Sequence, residues 1–186
     1  IDGIAVGGSN VEKVEDAIRT EMKNYNLTVT AREDKNGTIA GSDIDMEPVF
    51  QGEIEKLLEE QNGFAWLILM FQKQEFELAK VVSYDEQKLD EAVRNLPCMK
   101  DQRTPVDATY SDYTRENGYA LVPADYGTQV DNAKVRKAVS DAVLVLDETV
   151  DLEQSGCYLE PAIGDDDKDL LALIDALNQY VGVTIT

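Results

Sequence analysis

The segment from Glu116 to Leu146 restricts the fold more than any other part of the chain. Tyr119-Ala120-Leu121-Val122 is a short apolar strand, and Pro123 closes it because proline has no N–H to offer a continuing ladder. Gly127 marks a turn. Asp131 stands where a helix N-cap belongs, with a side-chain oxygen suited to the first free N–H groups of a helix. Behind it Val135, Ala138, Val139, Ala142, Val143 and Leu146 recur at helical spacing and form one apolar face. Strand, turn and one-sided helix all need a partner layer, so the rest of the chain must supply one.

The remaining sequence alternates helices with hairpins. Ile1–Val6 reads as a strand broken by Gly7-Gly8, and Ser9 or Asn10 caps a helix ending near Asn24. Leu27–Ala31 and Thr38–Ala40 read as a hairpin with Asn36-Gly37 at its tip. Gly41–Met46 is a polar loop, and Pro48 suits the first turn of a helix through Gln61. Phe64–Phe71 fits a buried helix or a buried strand; its Leu and Met content favours helix. Phe76–Tyr84 reads as a strand. Asp85 caps a helix with Leu89, Ala92, Val93 and Leu96 on one face, which Pro97 ends. Ala108–Tyr110 reads as a strand that an Asn117-Gly118 turn links to Tyr119–Val122. Thr149–Leu152 is a strand, Gly156–Pro161 a loop, Asp165–Asp167 the start of a last helix and Gly182–Thr186 a final strand.

Val11–Ile18 echoes Asn132–Val139, and each helix leads into a Thr/Val-rich strand. Such alternation predicts an α+β fold, with small mixed or antiparallel sheets packed against helices in two related units. The pattern restarts near Lys73 to Glu77, so the units are taken as 1–75 and 76–186.

Composition removes whole classes of function. The chain of 186 residues has no histidine, which excludes a Ser-His-Asp triad, a Cys-His pair and a His-bearing zinc site. Cys98 and Cys157 are the only thiols, too few for a four-thiolate zinc site; they can pair or stay as buried thiols. The 37 Asp and Glu outnumber the 17 Lys and Arg, giving a net charge of -20, which repels nucleic-acid phosphates and anionic lipid. Phe64–Phe71, the longest apolar run, falls far short of the ~20 residues that span a bilayer. The chain begins at Ile1 without a basic or apolar leader, and reads as a mature product or a piece of something longer.

Few residues invite a ligand. Asp165–Asp167 and Asp169 suit a helix N-terminus, whose dipole favours carboxylates, and lack the spacing of a calcium-binding loop. No carboxylate pair among Asp43, Asp45, Glu47, Glu59 and Glu60 stands in an apolar stretch that would set up glycoside hydrolysis. Five tyrosines, Tyr110, Tyr113, Tyr119, Tyr126 and Tyr158, concentrate in the second half. Exposed tyrosine rings offer sugars and peptides an apolar face with a polar tip. The ligand-binding candidates are Tyr126 and Tyr158, which fall in loops, and Tyr119. No catalytic residue, metal or cofactor is assigned.

One set of positions carries a resemblance. Tyr84-Asp85 with Leu89, Pro105 with Ala108, Val122-Pro123 with Gly127 and Val130-Asp131, and Tyr158 with Pro161 form a pattern. It resembles the peptidoglycan-binding domain found before the catalytic domain of bacterial L,D-transpeptidases and in VanW-type proteins. The likeness covers about Lys80 to Thr186 well and the first 70 or so residues loosely. It implies an extracellular, non-catalytic cell-wall module from a Gram-positive bacterium, tethered by a membrane anchor in a longer parent. Its implied partners are peptidoglycan, through glycan or stem peptide, and the parent's own catalytic domain. The catalytic signature of those enzymes, Ser-His-Gly-Cys with a further upstream His, cannot occur in a chain without histidine. The alternative is a structural spacer, or a docking domain for its own catalytic domain, with no ligand of its own.

Overall fold

The computed structural model describes residues 11–49 and 82–181. These residues form an α+β fold of four α-helices and three small sheets. Helix α1, Val11–Asn24, leads directly into strand β1, Asn26–Thr30. Strand β2, Gly37–Ala40, returns antiparallel to β1, from Asn26 opposite Ala40 to Val29 opposite Gly37. Much later in the chain, strand β7, Thr149–Asp151, joins the other edge of β1 in parallel, with Thr28 opposite Thr149. The sheet order β2-β1-β7 makes β1 central. Period-two alternation sends Leu27 and Val29 into the core while Asn26 stays exposed.

Strands β3, Glu47–Pro48, and β4, Val82–Ser83, pair antiparallel. Helix α2, Glu86–Asn95, starts at Asp85, whose carboxylate accepts from the Gln87 and Lys88 N–H groups at 2.8 and 3.0 Å. Helix α3, Asn132–Leu144, starts the same way at Asp131, which accepts from Ala133 and Lys134 at 2.9 and 3.2 Å. Both caps satisfy donors that a helix start leaves free. Leu89 and Val93 of α2 and Val135, Val139, Ala142 and Val143 of α3 are buried with Leu27, Val29, Ile39, Ile44, Met46, Val150 and Leu152 in one cluster. Arg136 ties the two helices by pairing with Asp90 at 2.7 Å and with Glu86.

Strands β5, Thr109–Tyr110, and β6, Leu121–Val122, form the third sheet, and helix α4, Lys168–Val181, packs beside β5. Asp167 opens α4 by accepting from the Leu170 N–H at 2.8 Å. A smaller cluster of Ala108, Leu170 and Ile174, flanked by Tyr119, Leu121, Ala124 and Ile163, joins hairpin to helix.

The two helix-to-strand units that echo in sequence, α1–β1 and α3–β7, thus lay their strands side by side. Three local expectations are corrected. Asn36-Gly37 is not at the tip of the first hairpin: the left-handed residues are Glu33 and Asp34, and Asn36 acts through its side chain, which accepts from the Ala31 N–H at 2.9 Å. Gly41–Ile44 is a 3-10 turn with Ile44 and, just beyond it, Met46 fully buried, not a polar loop. Pro48 sits in β3 opposite Val82 rather than in the first turn of a helix; a two-residue ladder asks nothing of its missing N–H. The expected strand Ile1–Val6, the helix through Gln61, the Phe64–Phe71 segment and the final strand Gly182–Thr186 lie outside the described residues.

Candidate functional site

The third sheet extends beyond its two named strands, β5 and β6. Val106 and Asp125 exchange backbone hydrogen bonds at 2.7 and 3.0 Å, and the Ser111 N–H donates to the Ala120 carbonyl at 2.8 Å. One register therefore runs from Val106–Asp125 through Tyr110–Leu121 to Ser111–Ala120. Near the tip Thr114 and Gly118 exchange both bonds, at 3.0 and 2.8 Å, and the Thr114 hydroxyl accepts from Asn117 at 3.1 Å. Gly118 holds a φ of 65°, a conformation that costs an L side chain energy and glycine almost none. A Cβ there would also stand 2.3 Å from Asn178 Oδ1. That amide clamps the hairpin to α4: Asn178 Oδ1 accepts from the Tyr119 N–H and Asn178 Nδ2 donates to the Tyr119 carbonyl, both at 2.8 Å. It pairs with Tyr119 as a neighbouring strand would.

This clamp fixes a group of three tyrosines. Tyr119 is half-buried at the centre. Tyr110 meets it edge-on, with centroids 6.0 Å apart and planes at 76°. Tyr113 lies on it at 5.6 Å and 51°. Both outer rings are 44 % exposed. Edge-to-face pairing is a favoured aromatic geometry, and the two contacts brace the outer rings against the clamped central one. Tyr119 is thus placed at a candidate site together with two rings that sequence reasoning left out of the short list. The signal was present: the Asn117-Gly118 turn brings the residues on either side of it together, and Tyr113 and Tyr119 flank that turn.

Tyr126 and Tyr158 belong elsewhere. Tyr158 is only 5 % exposed, a correction to its assignment as a loop ring open to ligand. Its backbone bridges Val130, its ring lies under the Arg32 guanidinium at 4.1 Å, and its hydroxyl accepts from the Arg32 N–H at 2.7 Å. Burial pushes the Tyr158 hydroxyl pKa up, with the Arg32 N–H opposing the shift. Tyr126 keeps 40 % of its surface, but its carbonyl accepts from Arg32 Nη1 at 2.9 Å, as the Gly127 carbonyl does at 3.3 Å. Arg32 also forks onto Glu153 at 2.5 and 2.7 Å and reaches Glu160 at 3.2 Å. Arg103 bridges Asp125 at 2.5 Å and Glu33 at 2.6 Å, while its carbonyl accepts from Thr128 and Gln129. Gly127, at φ 59°, lets the chain pass 2.4 Å (measured from a Cβ built there) from that same Arg103 carbonyl. These contacts lock the turn before α3 to the β1–β2 hairpin and leave Tyr126 as a single exposed ring.

The lock has an acid signature. Arg32 holds the Glu153 carboxyl below its ordinary value, and the Gly127 N–H, then Arg103, hold Asp125 below its own. Folded values lower than unfolded ones stabilise the fold above the ordinary carboxylate range and cease to do so as pH falls through the depressed values. Melting temperature should therefore change little on this account between roughly pH 7 and 5 and fall below about pH 4. In Arg32→Met the acid limb should be shallower, because Glu153 then loses the partner that holds its carboxyl low. A limb of unchanged slope would refute the assignment.

Cys98 and Cys157 are both free thiols in the core cluster, and burial pushes both thiol pKa values up. Among the described residues no group of three or more His, Cys, Asp or Glu could hold a metal ion, and no helix is long and apolar enough to cross a membrane. No protein family, curated protein or solved structure matches the chain.

Proposed function

We propose that the chain is a non-catalytic, extracellular cell-wall module that associates with peptidoglycan and positions an L,D-transpeptidase domain lying outside it. The observation that supports this reading best is the tyrosine group on the β5–β6 hairpin: two half-exposed rings braced by a third, on a chain without histidine. Rings held rigidly in advance bind a wall fragment with little ordering cost. A net charge of -20 repels anionic wall polymers, so retention must rest on ring contacts and hydrogen bonds.

The test is co-sedimentation of the purified chain with isolated sacculi across a salt series. Saturable pelleting should persist at about 0.5 M salt, where exposed charges are largely screened. A chain that stays in the supernatant at every salt concentration refutes wall association. That result would favour the second reading, a spacer or docking domain for its own catalytic domain. Its supporting observation is the outward face of α4, where Leu173, Tyr180 and Val181 are exposed.

A further inference from the structure

We infer that the tyrosine group on the hairpin takes the free ammonium groups of peptidoglycan stem peptides rather than the sugar rings of the glycan. This inference rests on the wall-association reading above and names the chemistry of its ligand.

The first reason is ring geometry. A sugar stacks on a flat aromatic face, and a glycan strand needs a run of such faces. Here the outer rings stand at 76° and 51° to the central ring, so the group offers faces at angles to one another and no common plane. A compact cation needs only one open ring face, which presents the negative side of its quadrupole, and Tyr110 and Tyr113 each keep exposed surface for it.

The second reason is charge. Within the hairpin, 106–125, four carboxylates (Asp107, Asp112, Glu116 and Asp125) outnumber the one guanidinium, Arg115. Asp125 is already paired with Arg103, and Asp107 Oδ1 accepts from the Ala162 and Ile163 N–H groups. Asp112 and Glu116 are exposed and flank Tyr113 in sequence. Helix α4 behind the hairpin adds Asp169 and Asp175 against Lys168, and three more aspartates, Asp165 to Asp167, precede it. A surface of this sign concentrates cations near the rings and gives nothing to a neutral sugar. The rings then supply the short-range selectivity that diffuse charge lacks.

The third reason is pre-organisation. Asn178 holds Tyr119 by both backbone groups, and Gly118 permits that approach. The central ring is fixed before any ligand arrives, so a single ammonium can be held without ordering a loop.

The experiment uses the whole chain and three solid phases: intact sacculi with amine-bearing stem peptides, the same sacculi with amines N-acetylated, and glycan strands freed of peptide by an amidase. A double variant, Tyr110→Leu with Tyr113→Leu, keeps the charge and most of the apolar area and removes the two exposed quadrupoles. Its fold is checked by an unchanged melting temperature and circular dichroism. Acetylation should weaken binding at least fivefold, and the double variant should bind intact sacculi roughly fivefold or more weakly, about two- to fivefold per exposed ring. Peptide-free glycan should bind no better than the acetylated material. Full binding to peptide-free glycan, or insensitivity to acetylation, overturns the ammonium assignment and leaves wall association standing. A double variant that binds like the parent also overturns it, because charge alone then accounts for the amine dependence. No pelleting of intact sacculi by the parent chain overturns wall association and this inference together.

Discussion

Arg32→Met is expected to cost the fold about 2–4 kcal/mol. Methionine keeps the aliphatic stem and removes only the guanidinium. The loss is not chiefly the ion pairs. Glu153 and Glu160 are each 55 % exposed, and exposed pairs contribute at most ~1 kcal/mol each. Arg32 itself is 18 % exposed, and its buried side is where the energy resides. The Tyr126 and Gly127 carbonyls lose a charged donor, and a hydrogen bond to a charged group is worth ~1.5–3 kcal/mol. The Tyr158 ring loses a cation over its face, worth about 1–2 kcal/mol when half-desolvated. The backbone bond from Arg32 to the Tyr158 hydroxyl survives, which caps the damage. For a chain of this size each kcal/mol moves the melting temperature by about 2–4 °C, so a fall of roughly 5–15 °C is expected. Arg32→Lys should recover less than half of it, because an ammonium cannot fork onto Glu153 and reach two carbonyls together. A loss under about 1 kcal/mol would mean the turn before α3 is held by Arg103 and Thr128 instead.

That residue also shows where the sequence stopped being readable. Arg32 lies in a polar turn and looks solvated; its partners stand 94 to 128 positions away. Tyr158 looked exposed for the same reason, since only the fold places a cation over it. Local signals were sound: Asp85 and Asp131 cap their helices because capping needs only the next three residues. The apolar face of α3 was legible from spacing, as was the hairpin around Asn117-Gly118. The first hairpin was found with its tip misplaced, because Asn-Gly most often marks a two-residue turn and here Asn36 bonds back to Ala31 instead. Ile44 and Met46 were hidden by Gly41, Ser42, Asp43 and Asp45 around them; one 3-10 turn suffices to point both inward. Tyr110 and Tyr113 were visible as tyrosines, but their junction with Tyr119 depends on hairpin register and on the Asn178 clamp, which no single stretch discloses.

Leu27→Ala is expected to destabilise the chain by about 2–5 kcal/mol, and its consequences should reach far from β1. Leu27 is fully buried on the central strand, so its removal leaves a cavity that neither neighbouring strand can close. The sequence suggested two units, 1–75 and 76–186, and this variant separates that arrangement from a single cooperative body. β1 comes from the first stretch and β7 from the second, yet the Thr28 N–H donates to the Glu148 carbonyl at 2.9 Å and the Leu152 N–H to the Thr30 carbonyl at 3.1 Å. The same cluster holds Leu27, Val139 and Leu152. If that cluster is one cooperative unit, amide exchange at Thr28, Leu152 and Val143 should be limited by the same opening, and Leu27→Ala should lower protection at all three alike. Thermal unfolding should then remain one transition, shifted down by roughly 5–20 °C. Should Val143 keep its protection while Thr28 loses it, or a second transition appear, the two stretches would be separately stable and the parallel β1–β7 pairing a contact between them. The buried set argues for the first outcome: Val135, Val139 and Val143 of α3 share one cluster with Leu27 and Val29 of β1 as well as with Leu89 and Val93 of α2, so losing β1 opens the cluster that covers α3.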